Sequence, residues 1–197
     1  MKAYVVRHAE TEWSASGQHT SRTDVPLTEN GERRAALVGQ LLAALRPPEV
    51  PAPAVLCSPR RRAIRTAELA GLPDPEITAD LAEWDYGEYE GLTTPQIRES
   101  VPGWTVWTHP SPGGETAQQV TVRADRVLAM AADLLTDRDV VLVGHGHFGR
   151  VLAARYLGLP ATAGVHLALD AGGVTVLGHD RGVPRLDHVN VQPLSLS

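Results

Sequence analysis

Residues 139–158 read DVVLVGHGHFGRVLAARYLG. The unbroken apolar run from Val140 to Val143 lacks the alternation of a half-exposed strand, so it predicts a strand covered on both faces, the habit of a parallel sheet. It passes without a spacer into Gly144-His145-Gly146-His147 and then into a helical stretch. The same succession recurs upstream. Ala3 to Val6 is apolar and β-prone, and LTENGERRAALVGQLLAAL (27–45) reads as a helix with Thr28 as N-cap and Val38, Leu41, Leu42 and Leu45 on one face. The Pro-rich segment 46–53 ends that helix and leads to AVLCS (54–58), a second short strand. SPRRRAIRTAELAG (58–71) follows as a helix with Ser58 as N-cap, Pro59 at the first helical position and Gly71 as stop. A long amphipathic helix is expected over 115–136 through Val120, Val127, Met130 and Leu134, and VHLALD, GGVTVLGHD and PRLDHVN read as short strands or turns. Strands alternating with helices predict an α/β fold, a three-layer α/β/α sandwich with a mostly parallel central sheet, in one domain over 1–197.

With 197 residues, 43% of them hydrophobic, the chain is long enough to bury roughly 70% of its unfolded surface around one core. A net charge of -5 argues against a nucleic-acid groove or an anionic membrane surface as partner, so any anionic ligand must be held by a local cluster of cations. The N-terminus lacks a basic-then-apolar leader, and no 18-residue apolar run occurs; a cytoplasmic protein is expected. The lone Cys57 cannot form an internal disulfide and, at a strand end, reads as core.

In open α/β sheets ligands bind beyond the carboxyl ends of the strands. Three strands here end in chemistry: Arg7-His8, Ser58 followed by three arginines, and Gly144-His145-Gly146-His147. Side by side these would gather guanidinium and imidazole groups in an acidic protein. Such a pocket suits a phosphate, with Arg as a planar bidentate donor and a neutral imidazole able to take the phosphoryl group covalently.

The segments RHAETEW (7–13), CSPRRRAIRTAE (57–68), LAEWDYGEYEG (81–91) and VLVGHGHFGR (141–150), in this order, resemble the histidine phosphatase superfamily, in its branch of cofactor-independent, actinobacterial-type acid phosphatases and phosphoglycerate-mutase-like enzymes. The resemblance implies a phosphoglycerate-mutase-like fold, no cofactor and no metal. It further implies that His8 is the phosphorylated nucleophile, Arg7 and Arg62 bind phosphate, His145 is the second pocket histidine and Glu83 is the proton donor to the leaving oxygen. The stretch 14–28 resembles the substrate-side loop, which puts Ser14, Gln18, Thr20 and Ser21 near the phosphate or leaving group; Tyr86, Gly146 and His147 are expected beside them. A Trp84 ring next to Glu83 is expected to favour the protonated acid by desolvation.

Two positions depart from the pattern. Ala9 stands where Gly is usual, and Ser14 where mutase-like members carry Asn, shortening or removing one phosphate hydrogen bond. The His145-Gly146-His147 pair lacks the further ligands a metal would need. Trp104 and Trp107 read first as core under a long loop and, alternatively, as walls of the leaving-group cleft; Glu88 and Glu90 read as structural or solvated. The implied activity is phosphomonoester hydrolysis of a small phosphorylated substrate. A sugar-bisphosphatase of the sedoheptulose-bisphosphate kind, a phosphoglycerate mutase and a non-catalytic phospholigand binder are the alternatives, and a homodimer is compatible with all of them.

Overall fold

The computed structural model describes residues 1–193. Along the chain it contains β1 (Ala3–Arg7), α1 (Glu12–Ser16), α2 (Glu29–Leu45), β2 (Ala54–Cys57), α3 (Arg61–Leu69) and β3 (Glu76–Ile77). Then come α4 (Thr94–Ser100), α5 (Ala117–Leu134), β4 (Val140–Gly144), α6 (Gly146–Tyr156), β5 (Val174–Asp180) and β6 (Val183–Val191). Among the described residues the strands form one sheet in the order β3-β2-β4-β1-β5-β6. The first four run parallel, while β5 is antiparallel to both β1 and β6, so the sheet is mostly parallel.

The period-2 alternation of β1 divides the interior into two cores. Ala3 and Val5 face one side with Leu142 and the apolar faces of α5 and α6, through Val120, Val127, Val151 and Leu152. Tyr4 and Val6 face the other with Val141, Val143 and Cys57, against Val38 and Leu42 of α2 and Ala63 and Ala67 of α3. Every residue of β4 is buried, as its unalternating sequence predicts. Each Val or Leu so enclosed contributes about 1.5–3 kcal/mol of transfer free energy, which makes this central strand the most costly to disturb.

Thr28 caps α2 as expected, accepting from Gly31 N at 2.9 Å. Its hydroxyl also donates to Glu10 Oε1 at 2.7 Å, tying the helix to the turn after His8. Gly31 meets that turn directly, since a Cβ there would overlap the Glu10 carbonyl oxygen. At α3 the structure corrects the expected cap. The helix starts at Arg61 after an Arg60 with no side-chain cap, and the Ser58 hydroxyl is shared, accepting from Arg60 N at 3.4 Å and lying 2.7 Å from His145 Nε2. Of the three C-terminal segments, two are β5 and β6, while VHLALD enters as the end of a 3-10 turn over Ala161–His166. No described helix is long and apolar enough to cross a membrane.

Candidate active site

Parallel pairing places Arg7 opposite Gly144 and Cys57 opposite Val143, so three adjacent strands end at one level. The residues that follow them, His8, His145 and Ser58, are consequently brought together. His8 and His145 lie with ring centroids 5.2 Å apart, edge to face. A pocket of about 180 Å³ opens over this edge; its wall includes Arg7, His8, Glu83 and Tyr86, with Gly146, His147 and Arg150 from α6.

The hydrogen bonds assign the tautomers of both rings. His8 Nδ1 lies 2.7 Å from the Ala9 carbonyl oxygen, which can only accept, so Nδ1 carries the proton and Nε2 keeps its lone pair. Burial, and then Arg62 and Arg7, hold the His8 pKa well below its ordinary value, so the ring is neutral. His145 Nδ1 faces Arg62 Nη2 at 3.2 Å, and a guanidinium can only donate. Its Nε2–H therefore donates to Ser58 Oγ at 2.7 Å. Burial and the neighbouring Arg62, His8, Arg7 and Arg60 likewise keep His145 neutral.

Arg62 is fully buried and donates to the carbonyls of Thr20, Ser21 and Thr23. Arg7 donates to the Leu169 carbonyl at 2.9 Å. Among the described residues four buried side-chain polar atoms have no partner within the protein: Nε of Arg7, Arg60 and Arg62, and Ser111 Oγ. Unpaired buried donors are rare and costly. Two of these, the Nε–H groups of Arg7 and Arg62, belong to guanidinium groups beside the two histidines and suit an anion. Gly146 leaves the Arg7 guanidinium its place, because a Cβ would sit 3.1 Å from the guanidinium carbon and the group would have to give way.

Glu83 is held by three main-chain amides. Its Oε1 accepts from Trp84 N at 2.8 Å and Phe148 N at 2.7 Å, and Oε2 accepts from His147 N at 3.0 Å, the last two from the first turn of α6. The two oxygens offer about four acceptor sites, so one on Oε2 remains. Trp84 departs from its expected place over the carboxyl. Its indole N–H donates to Glu115 O at 2.9 Å and its ring meets Trp107 edge to face; it serves Glu83 through its backbone amide.

The loop residues separate into two groups. Ser14, Gln18 and Thr20 line the pocket. The Ser14 hydroxyl is spent on Thr11, accepting from its N–H and donating to its carbonyl in the cap of α1, and Gln18 donates to Gly91 O. Ser21 stays out of the pocket wall, since its N–H and hydroxyl both go to Glu90. Burial alone would raise the Glu90 pKa, but bonds from Ser21 and Thr23 hold it below the usual carboxylate value. Glu90 thereby fixes the loop whose carbonyls fix Arg62, which gives content to its structural reading.

Tyr86 and His147 pair at 2.6 Å between Oη and Nδ1. His19, Trp104 and Trp107 pack around them at ring distances of 4.7–5.3 Å. Both tryptophans belong to the core on the α5–α6 side and back the pocket wall. The sequence reading missed Ser58 as a His145 partner and Arg150 as a wall residue; Arg150 does stand four positions after Gly146 and three after His147, where one helical turn brings it back toward the same pocket. His145 and His147 turn to different partners, and among the described residues no group of three His, Cys, Asp or Glu is placed to hold a metal.

The neutral imidazoles have a consequence for stability. Burial pushes the His19 pKa down to about 4, Glu90 opposing, and His147 well below 6.5. Between pH 6.5 and 4 the unfolded chain binds protons that the native chain refuses, so stability is full above pH 6.5 and is lost as pH falls through that window. His19 alone accounts for on the order of 3 kcal/mol. Thermal melts should give a lower Tm at pH 5 than at pH 7, with a shallower dependence in His19→Asn; a flat profile would contradict neutral burial.

The family model of the histidine phosphatase superfamily (branch 1) matches residues 3–192. An acid phosphatase of Mycobacterium tuberculosis is 50% identical over 182 residues, covering 92% of this chain and 88% of that protein. Sedoheptulose 1,7-bisphosphatase of Saccharomyces cerevisiae is 33% identical over 186 residues, covering 80% and 68%. The solved structure of the open reading frame Rv3214 from Mycobacterium tuberculosis superposes with a TM-score of 0.94 at 47% identity over 98% of each chain. Two histidines, two orphaned arginines and an amide-held glutamate at one sheet edge thus occur in a chain that belongs to the histidine phosphatase superfamily, branch 1, as a phosphatase hydrolase.

Proposed function

We propose that the chain is a metal-independent phosphomonoesterase acting on small phosphorylated substrates through a phosphohistidine on His8. The observation that carries this is the His8 tautomer: Nδ1–H is committed to the Ala9 carbonyl, which leaves the Nε2 lone pair beside two guanidinium groups, of Arg7 and Arg62, whose Nε–H lacks a partner. In the first step Nε2 attacks phosphorus in line, and Arg7 and Arg62 take the charge on the equatorial oxygens. His145 steadies Arg62 by accepting from its Nη2, and is itself held by Ser58. Glu83, protonated at Oε2, gives its proton to the departing alcohol oxygen; as carboxylate it then takes a proton from water, whose oxygen attacks phosphorus and frees His8. Hydrolysis is favoured over mutase chemistry by the segment between Gly91 and Gly114. Its single arginine, Arg98, donates from Nε to Trp104 O at 2.8 Å and packs within that segment instead of offering a basic lid to a bisphosphorylated intermediate. The sugar-bisphosphatase alternative is supported by the 33% identity to the yeast enzyme.

The test is phosphate release from aryl and alkyl phosphomonoesters with and without a chelator. Release that persists in the chelator, at a rate above any interconversion of 2- and 3-phosphoglycerate, is the expected result. Chelator-sensitive release, or interconversion outpacing hydrolysis, would overturn it.

A further inference from the structure

Arg150 lies on α6 and lines the same pocket as Arg7, His8 and Glu83, yet the two-step transfer gives it no task. Its guanidinium is fixed from three sides. Nε donates to Gly164 O at 2.9 Å, Nη2 donates to Val165 O at 3.0 Å, and the group lies 4.7 Å from the centre of the Trp107 ring. These partners orient the charge without cancelling it. Arg22, Arg65, Arg126 and Arg155 each face a carboxylate within salt-bridge distance, whereas among the described residues no such pair includes Arg150.

Charge balance turns this into a statement about substrate. A phosphoryl dianion is matched by Arg7 and Arg62. In the transfer proposed above Glu83 brings a proton to the first step, and His8, His19 and His147 are uncharged. One positive charge remains, half-buried, in the wall of the pocket of about 180 Å³ that also holds His8 and Glu83. An unpaired cation in such a place is costly, and burial accordingly lowers the Arg150 pKa. A planar guanidinium already tied down loses little freedom on meeting a carboxylate or phosphate.

We infer that Arg150 binds an anionic group on the leaving alcohol, so that the site selects phosphomonoesters carrying a second anion, a carboxylate or another phosphate. The inference rests on the phosphomonoesterase reading above.

The test uses substrate pairs of matched skeleton: phosphoglycolate against ethylene glycol monophosphate, and 1,3-propanediol bisphosphate against its monophosphate. In the wild type the anionic member should be favoured about tenfold or more in kcat/KM, with the difference carried by KM. Arg150→Gln should bring that ratio to within about threefold of one, and Arg150→Lys, which keeps the charge and loses the fork, should fall between. A preference in one pair alone supports the inference and names the anion. A wild-type ratio near one in both pairs overturns it, as does a ratio that survives in Arg150→Gln. If Arg150→Gln does not fold, the wild-type ratio and the Arg150→Lys variant decide. Failure of the wild type to hydrolyse any of the four esters would instead remove the phosphomonoesterase reading.

Discussion

His8→Ala is expected to lower kcat/KM by at least about 10⁴-fold on every phosphomonoester, activated or not. The size of the loss follows from the absence of a substitute nucleophile. His145 is the nearest imidazole, with ring centres 5.2 Å apart, but both of its nitrogens are engaged, one by Arg62 and one by Ser58. Cys57 is buried on the far core, and burial pushes its thiol up to about 12, so no thiolate is at hand. Alanine removes the whole imidazole but leaves Arg7 and Arg62, whose unpartnered Nε–H groups can still bind phosphate. Inhibition by inorganic phosphate should therefore persist while turnover vanishes. Rapid quenching of the wild type with a labelled substrate should trap an acid-labile, alkali-stable phosphoryl group that His8→Ala does not form. Turnover by the variant within about tenfold of the wild type would exclude the covalent route.

Glu83→Gln is expected to cost about 10³-fold on alkyl phosphates and about tenfold or less on nitrophenyl phosphate. The difference arises because a nitrophenolate leaves without a proton, whereas an alkoxide does not. The amide geometry adds a second reason for a deep loss. One oxygen of the present carboxyl accepts two amide N–H groups and the other accepts one from His147. Glutamine can offer its carbonyl at the first position, but its NH₂ then faces the His147 N–H, donor against donor. The side chain should shift, and the melting temperature should report the lost bonds separately from the kinetic effect. Equal losses on both classes of ester would remove Glu83 from the proton path.

Much of this architecture was legible because it is carried by local pattern. The unalternating Val140–Val143 run announced a central strand, the Thr28 cap stands where the hydroxyl precedes the periodic face, and the ends of β1 and β4 bring Arg7, His8 and His145 to the sheet edge. What escaped depends on partners distant in the chain. Ser58 looks like an N-cap until His145, from another strand, competes for its hydroxyl. Ser21 looks like a substrate contact until Glu90 claims both its donors. Trp84 follows Glu83 directly, yet neighbours in sequence on an irregular segment need not share a face, and the indole is drawn to the Glu115 carbonyl. Arg150 carries no signal by itself, because an arginine on an amphipathic helix ordinarily faces water.

The position of β1 between β4 and β5 ties chemistry to the order in which the molecule assembles. The strand that ends at the nucleophile is made before every other strand of the sheet, yet both of its hydrogen-bonding edges await β4 and β5, more than 130 residues later. Pairings so distant along the chain form slowly, since loop closure must precede the contacts that reward it. Nascent β1 is therefore an apolar segment with no partner for most of synthesis, and His8 meets His145 and Arg62 only when the centre of the sheet has closed. Catalytic competence in this protein is a late event of folding, and its appearance marks completion of the sheet.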